Sequence, residues 1–148
     1  MKSLLYTILI LLVFTNCKKS SLHGDHFIFG SSFSECVGNC VNYFMLKKEQ
    51  LYPDDMKNWS DKLKFKNNQL SQDKINLAKK IESNLPNFLK NSISSTYGCP
   101  DCHDQGAIYI EIKKNSKTTK FKIDTDTSQI PIEIRKYISD IKITLLEL

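Results

Sequence analysis

The stretch from Gly106 to Ile123 constrains the fold more than any other part of the chain. Ile108, Ile110 and Ile112 alternate with Tyr109, Glu111 and Lys113, and Thr119, Phe121 and Ile123 repeat that period beyond Asn115-Ser116. Strict alternation marks a strand with one buried face, because successive side chains point to opposite sides of the backbone. Two such strands of equal length around a short polar turn predict a β-hairpin. A lone hairpin is marginal in water, so its isoleucine face requires further elements to cover it.

The rest of the chain supplies those elements. Phe27 to Gly30 reads as a first strand and Val41 to Leu46 as its partner. A tight turn at Cys36-Val37-Gly38-Asn39-Cys40 joins them into a second hairpin. Lys62-Leu63-Lys64-Phe65-Lys66 alternates as a half-buried strand does. Ile75, Ala78, Ile81, Leu85, Phe88 and Leu89 recur at spacings of three and four, the stripe of an amphipathic helix. Ser71 stands where it would cap that helix, and Pro86 should end or kink it near Asn84. Ser92 to Gly98 reads as a loop. Pro131 suits a first helical position, and Ile134, Tyr137, Ile141, Leu145 and Leu148 mark a second helix face running to the terminus. The expected fold is α+β: an antiparallel sheet of hairpins with two amphipathic helices packed on one face.

The N-terminal segment reads as an address. Met1-Lys2-Ser3 is a short basic start, and Leu4 to Phe14 is an apolar run too short to cross a hydrocarbon core, which needs about 20 helical residues. A charged start, a short apolar centre and polar residues before a cleavage point are the layout of a secretory signal. Cys17 follows directly, and Thr15-Asn16-Cys17 resembles the lipobox of bacterial lipoproteins. It departs from the commonest form, which has Leu three residues before the Cys and Gly or Ala directly before it. The resemblance implies cleavage before Cys17 and lipid on that residue. Cysteine parity agrees: of five Cys, assigning Cys17 to lipid leaves Cys36, Cys40, Cys99 and Cys102, which an oxidising compartment would pair. The expected organisation is a signal peptide over 1–16, a lipid anchor and tether over 17–26, and a single domain over 27–148. The expected address is the bacterial cell envelope, with the outer membrane favoured and the lipid on Cys17 as the membrane contact.

A chain of 148 residues leaves no room for a multidomain enzyme or a polytopic membrane protein. The net charge of +5 comes from lysines scattered among acidic residues, with Arg135 as the single arginine. Nucleic-acid binders concentrate Lys and Arg on one face, so no nucleic-acid partner is expected. Weak affinity for anionic lipid headgroups through Lys18-Lys19 fits the anchor.

The densest chemistry lies in Gly98-Cys99-Pro100-Asp101-Cys102-His103-Asp104-Gln105-Gly106. The leading reading is structural: disulfides within each pair close two tight loops, or crosslinks join the N-terminal hairpin to the C-terminal one. A crosslink closing a loop of about 60 residues would contribute roughly 4 kcal/mol by the chain-entropy argument, and local loops less. Cys-x-x-Cys-His is also the attachment signature of c-type haem, with thioethers at Cys99 and Cys102 and His103 as axial ligand. A turn leading into a strand is an unusual setting for it, and a distal ligand would have to be Met45, Met56, His23 or His26. Cys-x3-Cys with Cys-x2-Cys could instead hold zinc through four sulfurs. A thioredoxin-like pair should follow a strand and open a helix, which this motif does not. For hydrolysis by Cys102 with His103, adjacent side chains point apart. His23 and His26 read as solvated tether residues, Asp54-Asp55 as turn chemistry, and Trp59 and Tyr43 as core or rim aromatics.

At this motif the chain resembles a group of uncharacterised small exported bacterial domains. They share a Gly-Cys-Pro-Asp-Cys run leading through a Gly into a strand rich in Ile, Tyr and Glu. The resemblance covers Gly98 to Glu111 and the Phe27 to Cys40 segment, and it implies export but no activity. In that group the position of His103 is often small. The expected function is therefore that of an envelope lipoprotein, stapled by disulfides, with a non-enzymatic binding or structural role and no cofactor. Its partner is a protein or small molecule that the sequence does not name. A redox or haem electron-transfer protein and a zinc-stabilised interaction module are the alternatives.

Overall fold

A computed structural model describes residues 24–58 and 60–148. Six strands form one sheet: β1 (His26–Ser32), β2 (Val41–Lys47), β3 (Gln50–Pro53), β4 (Ser95–Tyr97), β5 (Ala107–Lys114) and β6 (Lys117–Asp124). Their order across the sheet is β3-β2-β1-β5-β6-β4. Three helices accompany them: α1 (Gln72–Ser83), α2 (Asn87–Lys90) and α3 (Ile132–Glu147). The signal and lipidation readings fall in residues 1–23, outside the described residues, as does the Trp59 assignment.

The hairpin of β5 and β6 has the expected register, with Ile110 opposite Phe121 and Lys114 opposite Lys117. Asn115 and Ser116 both take positive φ, at 50° and 67°, the conformation a two-residue turn needs to match strand twist. β1 pairs antiparallel with both β2 and β5, placing Phe29 opposite Phe44 on one side and Ile110 on the other. The N-terminal strand thus lies at the centre of the sheet. β2 continues into β3 through Lys48-Glu49, again with positive φ at both residues. Two charged residues carry that turn in place of the usual Asn-Gly, which hid β3 from a composition-based reading.

The sheet is mixed, and this corrects the all-antiparallel expectation. β4 lies in the segment expected to be a loop and pairs parallel with β6, Thr96 opposite Lys122. Three residues are too few for an alternation signal to register. Lys62 to Lys66 is not a strand of the sheet; a single bridge joins Phe65 to Asp54. Its alternation has another cause, since Phe65 and the half-buried Leu63 pack under the sheet from an irregular excursion of the chain.

Among the described residues, the helices cover one face of the sheet. Phe27, Phe29, Phe44, Leu46, Ile108, Ile110, Phe121 and Ile123 point toward them and meet Ile75, Ala78 and Ile81 of α1 and Ile134, Tyr137, Ile138 and Ile141 of α3. The expected stripe is divided at Pro86: α1 ends at Ser83, and Phe88 and Leu89 belong to the separate turn α2. Pro86 lacks the N–H that would continue the helix. α3 begins one residue after Pro131. The Tyr137 hydroxyl donates to the Ile81 carbonyl at 3.1 Å and ties α3 to the last turns of α1. On the opposite face, Ile28, Val41, Tyr43 and Met45 pack against Met56 and Phe65 from the 54–70 excursion, which covers the β1–β2 half. The β5–β6 half of that face carries Tyr109, Glu111, Lys120 and Lys122.

Candidate functional site

Strand directions gather the chemistry-bearing loops at one end of the sheet. β1 ends at Ser32, β2 begins at Val41, β5 begins at Ala107, and β4 and β6 end at Tyr97 and Asp124. The 33–40 and 98–106 loops therefore emerge side by side, at what we call the disulfide pole. Each loop closes on itself: Cys36 pairs with Cys40 and Cys99 with Cys102, at Cα separations of 5.6 and 5.5 Å. Of the pairings open to four cysteines, the structure takes the local one.

Asp101 joins the two loops. It sits inside the Cys99–Cys102 ring in a left-handed conformation, φ 66°. One carboxylate oxygen accepts the Gly106 N–H at 3.0 Å, and the other accepts the Ser34 N–H at 2.7 Å from the neighbouring loop. The Asp101 N–H donates in return to the Gly106 carbonyl at 3.1 Å. Burial raises the Asp101 carboxyl, but hydrogen bonds from Ser34 and Gly106 outweigh it and hold the group below its ordinary value.

Asp124, only 1% exposed, anchors the second loop from beneath. Its carboxylate accepts the Cys99 N–H at 2.9 Å, the Asp126 N–H at 2.8 Å and the Gln105 side-chain amide at 3.2 Å. Gly98, at φ 73°, passes so close that a Cβ there would lie 2.6 Å from the Asp124 Cβ. Gln105 also donates to the Cys99 carbonyl at 3.1 Å and accepts the His103 N–H at 2.7 Å. A cleft of about 420 Å³ opens beside this knot, lined by Cys99, His103, Gln105, Asp124, Asp126 and Gln129. Asp126 is held below its ordinary value by the Ser128 N–H and hydroxyl. The cleft thus offers an exposed imidazole, an amide and the carboxyl groups of Asp124 and Asp126 on a braced frame, which suits polar recognition.

The site residues expected from sequence come together only in part. Cys99, Cys102 and His103 share the cleft loop, with His103 exposed; Cys36 and Cys40 occupy the adjoining one. With the sulfurs paired, neither thioethers to haem nor thiolates to zinc are available from them. No group of three or more His, Cys, Asp or Glu side chains converges as a metal site among the described residues. Met45 and Met56, named as distal haem ligands, are buried in the cluster under β1 and β2.

A second arrangement contradicts the tether reading of His26. The tether was expected to run through residue 26, but His26 begins β1 and is buried. Its Nε2 lies 2.9 Å from Glu111 Oε1, and its Nδ1 lies 3.1 Å from the Gly24 carbonyl. The other Glu111 oxygen accepts from the Tyr109 hydroxyl at 2.5 Å and faces Lys120 Nζ at 3.3 Å. Burial raises the Glu111 carboxyl, but Tyr109, His26 and Lys120 together hold it below its ordinary value. The Tyr109 phenol moves far the other way, pushed up by burial and by the Glu111 carboxylate. Tyr43 stacks on Tyr109 at 5.2 Å. The signal for this network was the alternation of β5, which puts Tyr109 and Glu111 on one face. No protein-family model matches the chain, and no curated protein does so.

The geometry makes the two disulfides local braces. Replacing both Cys99 and Cys102 with serine should cost about 2 kcal/mol, the chain-entropy value for so short a loop. Urea denaturation of the double variant checks this, and a loss near 4 kcal/mol would instead indicate a long-range crosslink.

Proposed function

We propose that this is an exported envelope protein held to a membrane by lipid on Cys17. On this reading its domain is a non-enzymatic binding or structural module that presents the disulfide pole outward. The observation that carries the proposal is that all four cysteines of the domain are paired with near neighbours. Such pairing belongs to an oxidising compartment and leaves Cys17 as the odd thiol.

The entry point of the chain supports the outward orientation. Gly24 and Asp25 lead into β1 at the end of the sheet opposite the disulfides, where Asp25 accepts the Asn115 N–H at 3.0 Å. An anchor at Cys17 would tether that end, leaving the two braced loops distal. Those loops expose Val37 fully and Phe33 partly, beside the polar cleft. Rigid loops lose little conformational entropy on binding, which favours recognition there.

The test is expression of the full chain in a bacterium fed labelled palmitate, followed by intact mass measurement without reductant. Label incorporation that disappears in a Cys17→Ala variant, with a protein mass short by the four hydrogens of two disulfides, is the expected result. Label retained in the variant, or free thiols at Cys99 and Cys102, would overturn the proposal. A covalent haem adduct would make the Cys99–His103 motif an electron-transfer site instead.

A further inference from the structure

The end of the sheet where the chain enters differs in charge from the disulfide pole. The β2–β3 turn brings Lys47 and Lys48 there, and the β5–β6 hairpin brings Lys113, Lys114 and Lys117. The Lys47 ammonium is pushed below its ordinary value, first by burial and then by Lys48 and Lys113, a sign of how closely these cations crowd. The carboxylates at this end are Asp25, Glu49 and Glu82. Asp25 caps the Asn115 amide, and Glu49 is paired with Lys79. The disulfide pole carries five carboxylates, Glu35, Asp101, Asp104, Asp124 and Asp126, against three cations, Lys122 near Asp101 and Arg135 and Lys142 near Asp126. The folded domain is therefore basic at one end and acidic at the other, although the sequence scatters both signs.

A groove of about 430 Å³ opens at the basic end, between the β5–β6 hairpin and the α1–α2 junction. Ile112, Thr119, Leu85 and Leu89 form its floor, while Lys90, Lys114 and Lys117 stand at its rim opposite the single carboxylate of Glu82. All three rim lysines are exposed. An apolar floor beneath a cationic rim complements an amphiphile with an anionic head, not an inorganic ion alone.

We propose that this basic end is a membrane-facing surface that seats the headgroups of anionic phospholipids between Lys90, Lys114 and Lys117. The proposal rests on the lipid-anchor reading for its geometry. Gly24 lies seven positions after Cys17, and that span fully extended reaches at most about 25 Å. A lipid on Cys17 would thus keep the lysine end within that distance of the bilayer while the acidic end points away. Polybasic surfaces gain roughly five-fold in affinity for each lysine placed near an anionic leaflet, and the gain fades within a Debye length.

The test uses the chain from residue 18 onward, which lacks the lipidated cysteine but contains the whole sheet, both hydrophobic clusters and both disulfides. Its co-sedimentation is compared on vesicles of mixed phosphatidylcholine and phosphatidylglycerol and on phosphatidylcholine alone. Wild type should bind the anionic vesicles at low salt and release them as salt rises. The triple variant Lys90→Glu, Lys114→Glu, Lys117→Glu, which reverses each charge, should lose at least roughly a hundred-fold in affinity. Lys57→Glu, Lys62→Glu, Lys142→Glu carries the same charge change away from this end and should lose only a few-fold from the altered net charge. Circular dichroism confirms that both variants stay folded. Equal losses in the two variants, or equal binding to neutral vesicles, would overturn the proposal. Palmitate labelling separates the two ideas: labelling with no preference for anionic vesicles defeats this surface and leaves the anchor standing. Vesicle binding without labelling defeats the anchor alone.

Discussion

Gly30→Ala should destabilise the domain by about 3 kcal/mol or more, the upper range for overpacking a closed interior. Gly30 sits mid-way along β1, paired with Tyr43 on one side and Tyr109 on the other. A Cβ there would lie 2.1 Å from the Asn42 carbonyl oxygen and 2.7 Å from both the Tyr43 Cα and its ring. Two of those contacts are backbone atoms of β2, which cannot swing aside as a side-chain tip would. Relief requires β2 to move, and β2 carries Phe44 and Leu46 into one core and Tyr43 and Met45 into the other. The melting temperature should fall by roughly 10 °C or more. Thermal unfolding followed by circular dichroism measures it, and a loss below about 1 kcal/mol would mean that the strands do not approach this closely.

Glu111→Ala should have the next largest effect, about 3 kcal/mol, because it removes the acceptor that satisfies several buried groups together. Without the carboxylate, the His26 ring and the Tyr109 hydroxyl lose their partner beneath the tyrosine stack. Glu111→Gln keeps the shape and one acceptor oxygen, so it should cost less. The carboxyl is held below its ordinary 4.5 in the folded protein. The folded state therefore binds this proton less readily than the unfolded chain does. The resulting stability is fully present above that ordinary value and is lost as pH falls through it and on through the folded one. Urea midpoints across the acid range should fall more steeply for wild type than for Glu111→Gln. Parallel curves would show that Glu111 does not carry the acid sensitivity.

What was legible in the sequence follows from signal length. The β5–β6 hairpin spans enough residues for alternation to be unmistakable, and Asn115-Ser116 is ordinary turn chemistry. The helices announced themselves through Ile75, Ala78 and Ile81 and through Ile134, Tyr137 and Ile141. β4 was invisible because three residues, Ser95 to Tyr97, carry no period and are held by Tyr97 packing between Phe88 and Phe121. β3 was hidden by the unusual Lys48-Glu49 turn. Lys62 to Lys66 shows the opposite failure. Its apolar residues alternate because they reach under the sheet one by one, and the segment touches the hydrogen-bonded ladder only at the Phe65–Asp54 bridge.

The candidate site was half legible. Cysteine count and spacing named the sulfurs, but only folding places Asp101 between two loops and Asp124 beneath one of them. His26 was misread because a polar neighbourhood, Gly24-Asp25 before it, looks like tether until Glu111 arrives from 85 positions along the chain. Charge polarity was likewise invisible, since hairpin turns distant in sequence meet only in the sheet.

On the exported reading proposed above, the central place of β1 bears on the order of events as the chain emerges. Phe29 finds its β5 neighbour, Ile110, only 81 positions later, so the middle of the sheet stays open until the second half of the polypeptide has emerged. Each sulfur, by contrast, lies three or four positions from its mate. Such local pairs can therefore oxidise on an emerging thread, ahead of any tertiary structure. With Cys17 set aside for lipid, as proposed above, a chain threaded from its N-terminus brings each cysteine to its native mate before a wrong one at both loops.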